Sequence, residues 1–223
     1  MEKIDNSRAL KTVPDHGTWC HEANNCSKSG KRETLMHFLE TAIRDLWIIE
    51  PERIDDHRGS FARTFCSDEF ASRGLPHRFV QNSISLSTRK HTLRGLHFQK
   101  HPHRETKIVS CVRGAIWDVA VDLRPTSSTY LSWVSKVLSH ENGAQFLIPE
   151  GFAHGFLSLT DEVSVTYLIS TPYVPGSSAG VRYDDPTIGI DWPATPVVLS
   201  SKDLEWPPLE RPAVATMLQS DKT

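Results

Sequence analysis

Three short stretches of the chain carry side chains able to move protons or grip anions. In Leu93-Arg94-Gly95-Leu96-His97-Phe98-Gln99 a guanidinium and an imidazole lie close together. A histidine near its unperturbed pKa can take a proton at neutral pH, and an arginine fork matches phosphate oxygens. Strand alternation predicts Arg94 and Leu96 on one side and His97 on the other. In Pro149-Glu150-Gly151-Phe152-Ala153-His154-Gly155-Phe156, proline and two glycines bracket a histidine at a strand entry. Glycine there permits a tight turn or the close approach of a ligand. The third group is Tyr167 and Tyr173, on and just after a strand, with Asp203 downstream in Ser200-Ser201-Lys202-Asp203. Taken singly, each has a plain structural explanation, because a strand histidine is more often a packing residue than a base.

The elements that must hold these groups are mostly short strands. From Trp47 onward, alternating or β-branched runs separated by turn residues predict a sandwich or jelly-roll barrel. The candidate strands cover residues 61–65, 79–87, 93–98, 107–112, 115–123, 130–138, 145–148, 155–159 and 163–170. Within Ile116-Trp117-Asp118-Val119-Ala120-Val121-Asp122-Leu123, the alternation gives Trp117, Val119, Val121 and Leu123 one apolar face and Asp118 and Asp122 a polar one. Upstream, Leu35, Phe38, Leu39, Ala42, Ile43 and Leu46 recur at helical spacing, which predicts an amphipathic helix over residues 33–46 docked on the barrel or on a partner subunit. Residues 1–32 read as a polar arm. A second short helix is expected around residues 212–218, so the chain divides into an N-terminal extension (1–46), a main domain (47–208) and a tail (209–223).

Composition narrows the classes. The 223 residues are 38% hydrophobic and 23% charged, with a formal net charge of -2, ordinary for a soluble globular protein and against bulk nucleic-acid binding. No apolar run approaches the roughly 18 to 20 residues of a membrane span, and no apolar leader follows Met1, so a cytoplasmic protein is expected. Cys20, Cys26, Cys66 and Cys111 form no CxxC pair. Reduced thiols are therefore the default, and Cys20 and Cys26 with His16 and His21 fit no common zinc-finger spacing.

Five ordered motifs between Trp47 and about Pro208 resemble one family, the dTDP-4-dehydrorhamnose 3,5-epimerases of the cupin superfold. They are Asp56-His57-Arg58-Gly59-Ser60-Phe61, the His97 segment, Asp118-Val119-Ala120-Val121-Asp122-Leu123-Arg124, the His154 segment, and Asp185-Pro186 leading to Ile190-Asp191-Trp192-Pro193. The resemblance implies a cupin-like jelly-roll barrel and epimerisation of a nucleotide-linked 4-keto-6-deoxyhexose, with no cofactor and no metal. It implies His97 as base, Asp203 as the carboxylate that orients it, Lys107 beside the developing enolate oxygen and Tyr167 as the acid on the opposite face. Arg94 and Gln81 match phosphate contacts and Lys202 a basic position; His154 and Tyr173 match further pocket residues, the latter near the nucleotide base. Arg58 and Phe61 match residues that reach the nucleotide from a neighbouring subunit, which implies a homodimer with exchanged strands. The chemistry is coherent, since a proton α to a ketone needs a base, a donor or cation for the enolate oxygen, and an acid on the other face.

The chain also departs from that pattern. Arg63 stands where a glutamate commonly contributes to the base site, Ser83 at an asparagine position unless a bulge moves Asn82 into it, and Glu105 where glutamine is common. Two other classes remain open from sequence. A metal-dependent cupin would use His101, His103 and His154 as ligands, although the expected glutamate is missing and Lys107 is an unfavourable neighbour for a cation. A non-catalytic sugar-nucleotide binding module would have no need of His97, Lys107, Tyr167 and Asp203 together.

Overall fold

The computed structural model describes residues 36–209. The β-branched and aromatic runs form antiparallel strands, with turns at their Gly, Asn, Asp and Pro interruptions. In chain order these are β1 (Met36–Glu40), β2 (Trp47–Pro51), β3 (Arg53–Asp56), β4 (Gly59–Ala62), β5 (Gln81–Ser87), β6 (Leu93–Gln99) and β7 (Lys107–Arg113). They continue with β8 (Ala115–Asp122), β9 (Trp133–Ser139), β10 (Gln145–Ile148), β11 (Phe152–Ser158), β12 (Val163–Ile169) and β13 (Ser178–Gly180). Two short helices, α1 (Ser67–Ala71) and α2 (Ser201–Leu204), complete the described elements. None of the helices is long and apolar enough to cross a membrane among the described residues.

One sheet runs β1-β2-β10-β7-β12-β5 and the other β13-β6-β11-β8-β9, while β3 and β4 pair apart as a hairpin. The two sheets share a core: Val109, Phe146 and Val165 of the first pack with Ile116, Ala120 and Phe156 of the second. This is the mainly β jelly-roll architecture that the strand pattern predicts.

The helix predicted over residues 33–46 does not form. Residues 36–40 are β1, paired in continuous antiparallel register with β2 from Met36↔Pro51 to Glu40↔Trp47. Met36 is fully buried and Leu39 exposed, a period of two. Met36 and Phe38 pack into a satellite core around Phe70 and Leu147, while Ile43 and Leu46 enter the main core from the turn that follows. Asp45 turns the chain with φ 71°. The 3–4 spacing thus comes from a strand followed by a tight turn, and pairing with β2 satisfies backbone groups that a helix would have satisfied internally. The polar arm, the Cys20/Cys26 group and the expected helix at 212–218 lie outside the described residues.

Strand β8 also differs from its expected two-sided character. Asp118 and Asp122 are fully buried like their apolar neighbours, because β8 lies inside its sheet between β11 and β9 and packs on both faces, Ile116 and Ala120 in one core cluster and Val119 and Val121 in another. Burial acts to raise the Asp122 carboxyl, but hydrogen bonds from Arg124, Ser127 and Thr129 outweigh it and hold it down at about 2. That aspartate closes the β8–β9 turn. Asp118 belongs to the site.

Candidate active site

A cavity of about 660 Å³ opens between the sheets. From the five-stranded sheet it receives Arg94 and His97 of β6 and His154 and Phe156 of β11; from the six-stranded sheet it receives Lys107 of β7, Tyr167 of β12 and Gln81, Ser83 and Ser85 of β5. The segment Val198–Asp203 lines the same space, bringing Lys202 and Asp203. Groups from facing walls therefore lie on opposite sides of one space.

The alternation expected in β6 breaks at Gly95. Against β11, His97 pairs with His154 and Arg94 with Phe156, so three residue steps on β6 face two on β11. This one-residue bulge returns Arg94 and His97 to the same wall and leaves Leu96 in the core behind it. Gly95 has φ 141°, and a Cβ there would lie 2.5 Å from Gly155 Cα. The close approach anticipated at Gly155 is thus made by strand β6, whose Arg94 carbonyl would lie 2.9 Å from a Cβ at Gly155. Gly151, φ 83°, makes the tight turn into β11. Gly95→Ala is expected to lower stability by about 3 kcal/mol, from a backbone conformation disfavoured for L-residues and a steric clash. An unchanged unfolding midpoint in urea would show that the bulge accepts a side chain.

His97 Nε2 lies 2.6 Å from Asp203 Oδ1. Asp203 is carried on α2, whose N-cap Ser200 accepts a hydrogen bond from Asp203 N–H at 3.1 Å. Burial acts to raise the Asp203 carboxyl, yet the hydrogen bond and charge of His97, with further bonds from Ser200 and Gly95, hold it below the usual carboxylate range. An ionised Asp203 keeps the proton of neutral His97 on Nε2, leaving Nδ1 as the basic atom. His97 and Asp203 are far apart in sequence, joined because the last segment runs beside β6: Leu93 N–H donates to the Val198 carbonyl at 2.9 Å.

Tyr167 Oη is 3.1 Å from Ser85 Oγ. Burial pushes its phenol well up, with the Ser85 bond only partly opposing this. The group is a protonated donor throughout the neutral range. Lys107 Nζ pairs with Glu105 Oε1 at 2.8 Å at the cavity wall. Arg94 donates from Nε to Ser87 Oγ at 3.1 Å and from Nη2 to the Leu86 carbonyl at 2.7 Å, which fixes the fork. Gln81 Oε1 accepts from Tyr173 N–H at 2.6 Å and so holds the loop that carries this ring. Lys202 lies over the Trp206 ring, 5.4 Å from its centroid.

Nine of the eleven sequence-predicted residues line this cavity: His97, Asp203, Lys107, Tyr167, Gln81, Arg94, His154, Tyr173 and Lys202. Arg58 and Phe61 do not; they sit at the β3–β4 hairpin, with Arg58 paired to Asp56 and Phe61 67% exposed. Ser83 occupies the cavity position in question, because β5 pairs with β12 in unbroken register and Asn82 stays outside. Asp118 was missed as a site residue. Its Oδ1 is hydrogen-bonded to His154 Nε2 at 2.8 Å, and burial pushes its carboxyl up against the opposing charge and hydrogen bond of His154. The signal in the sequence is an aspartate in an inner strand whose other residues, Asp122 apart, are apolar. Of the metal-cupin ligands, His101 and His103 do not line the cavity with His154, and no three His, Cys, Asp or Glu gather as a metal group among the described residues.

Comparison with known proteins gives a consistent picture. The family model described as dTDP-4-dehydrorhamnose 3,5-epimerase matches residues 40–211. The dTDP-4-dehydrorhamnose 3,5-epimerase of Methanothermobacter thermautotrophicus is 49% identical over 175 residues, covering 77% of this chain and 94% of its own. The crystal structure of dTDP-4-dehydrorhamnose 3,5-epimerase from Bacillus anthracis, with TDP and PPi bound, superposes with TM-score 0.76 at 40% identity, covering 78% of this chain and 99% of that one. The Legionella pneumophila dTDP-6-deoxy-D-glucose-3,5-epimerase, in complex with dTDP-4-keto-L-rhamnose, gives TM-score 0.72 at 42% identity over 76% and 90% of the two chains.

Proposed function

The chain belongs to the dTDP-4-dehydrorhamnose 3,5-epimerase family, and from that premise we propose that it converts dTDP-4-dehydro-6-deoxy-D-glucose to dTDP-4-dehydro-L-rhamnose by inverting C3 and C5. The observation that carries this reading is the His97–Asp203 pair on one wall of the cavity, with Lys107 and Tyr167 on the wall that faces it.

Each inversion follows from these groups. His97 removes the proton from the carbon beside the C4 ketone, and the C–H electron pair moves into the C4 oxygen as an enolate. Asp203 stabilises the imidazolium that forms. The Lys107 ammonium, charged and fixed at the wall, stabilises the enolate oxygen. Tyr167 then delivers its phenolic proton to the same carbon from the opposite face; His97 and Tyr167 regain their resting states through proton exchange with solvent. Arg94 and Lys202 supply positive charge for the diphosphate, and Tyr173 offers a ring for the nucleotide base. His154, held by buried Asp118, adds a hydrogen-bond donor or acceptor beside the sugar.

A homodimer with exchanged strands fits the surface. Strands β3 and β4 form a hairpin nearly all of whose residues are exposed, including Ile54 and Phe61, and it packs as a sheet of its own. Edge strand β5 turns Ile84 and Leu86 outward, 60% and 62% exposed. A second copy would cover that face and receive the hairpin, setting Arg58 and Phe61 at the neighbour's nucleotide. A cytoplasmic location suits an enzyme of a nucleotide-linked substrate.

The test is incubation with the 4-keto substrate in heavy water. Deuterium at both C3 and C5, with the L-rhamno product formed, is the expected result; no incorporation from thymidine-, cytidine- or guanosine-linked substrates removes the reading. Deuterium at one carbon alone would make the enzyme a single-site epimerase.

A further inference from the structure

Glu105 stands between two donors. Its Oε1 accepts from Lys107 Nζ at 2.8 Å and its Oε2 from Gln99 Nε2 at 2.7 Å. The Gln99 amide cannot turn over without loss, because its Oε1 already accepts from Val174 N–H at 3.0 Å and its Nε2 also reaches the Pro172 carbonyl at 3.4 Å. Gln99 is buried, and the side chains of Glu105 and Lys107 are only 10% and 13% exposed. Bonds therefore run from the Lys107 ammonium through Glu105 and Gln99 to the backbone on both sides of Tyr173.

We infer that Glu105 is a positioning residue that acts through Lys107: it fixes the ammonium at the cavity wall and joins it to the loop that presents Tyr173. A lysine stem is long and flexible, and its ammonium is a point charge without the built-in geometry of a guanidinium. Stabilisation of a developing oxyanion depends on charge already in place before the reaction. One hydrogen bond to a carboxylate that is itself held leaves the remaining ammonium donors free for the enolate oxygen. This role rests on the reading of Lys107 as the enolate-stabilising cation.

Glu105→Ala is expected to lower kcat by about 10- to 100-fold through misplacement of the cation, with the Kd for thymidine diphosphate within about two-fold of wild type. Glu105→Gln keeps an oxygen that accepts from Lys107 but sets its amide nitrogen against Gln99 Nε2, so kcat should recover in part, to at least about three-fold above the alanine variant. In a Lys107→Met background, followed by residual deuterium exchange at high enzyme concentration, Glu105→Ala should cost nothing further. An unchanged kcat in Glu105→Ala, a Glu105→Gln enzyme as slow as the alanine variant, or an equal factor in both Lys107 backgrounds overturns the inference. If the alanine variant does not fold, Gln99→Met removes the second hydrogen bond, and with it those to Val174 and Pro172, while keeping the Lys107 pair; a drop of about three-fold in kcat that vanishes in the Lys107→Met background supports the role, and an unchanged kcat or an equal drop in both backgrounds rejects it. Wild-type protein without any exchange would remove the enzymatic reading itself. Wild-type exchange with insensitive variants removes only the role of Glu105.

Discussion

His97→Asn abolishes deuterium exchange at C3 and C5 alike, a fall of roughly 10²- to 10⁴-fold for the loss of a positioned base, while thymidine diphosphate binds within a few-fold of wild type. The expectation follows from the separation of tasks in the cavity. The asparagine side chain ends near the Nδ1 position and falls short of Asp203, which His97 reaches through Nε2 at 2.6 Å, but the aspartate keeps its bonds from Ser200 and Gly95. What disappears is the basic nitrogen. The groups proposed to hold the diphosphate, Arg94 and Lys202, are fixed by contacts that do not involve His97, namely Ser87 Oγ, the Leu86 carbonyl and the Trp206 ring. Mass spectrometry of the recovered nucleotide sugar and calorimetric titration of thymidine diphosphate measure the two quantities separately. Equal loss of both would make His97 a structural residue.

The ease of reading His97 from sequence contrasts with the difficulty of reading its setting. The period-two pattern holds where two strands pair without interruption, as in β5 against β12, where Gln81, Ser83 and Ser85 face the cavity and Ile84 and Leu86 face out. It fails at Gly95, because one extra residue inverts every later side chain and the cause lies in the approach of Gly155, distant in sequence. Residues 36–46 mislead for a related reason: a strand and a tight turn together imitate helical spacing, and the partner that decides between them is β2. Buried polar pairs are harder still. Asp118 looks like a solvated strand residue until β9 and β11 flank it, and His154 then accounts for one of its oxygens while Oδ2 has no partner among the described residues. The motifs exposed the proton-moving residues because their chemistry restricts residue type. Their geometry depends on tertiary contacts that no local window contains.

Tyr167→Phe is expected to separate exchange from inversion. The phenylalanine retains the ring, so the main cost to the fold is the lost hydrogen bond with Ser85, about 1 kcal/mol. His97 still forms the enolate and, once its imidazolium has exchanged with solvent, can return deuterium to the face from which the proton came. Substrate should therefore accumulate deuterium with its configuration retained, while the rate of inverted product falls by roughly 10²- to 10³-fold for the loss of a positioned acid. Burial keeps the wild-type phenol protonated well beyond neutral pH, so this donor should not titrate away as the medium becomes mildly alkaline. Water admitted in its place would be less well oriented, which explains why a residual rate of inversion is expected. NMR of the substrate recovered from heavy water distinguishes retained from inverted deuterated sugar. If Tyr167→Phe leaves inversion at the wild-type rate, the acid lies elsewhere on that wall; if exchange with retention is lost in proportion to inversion, Tyr167 serves enolate formation itself and the division of labour between the two sheets must be redrawn.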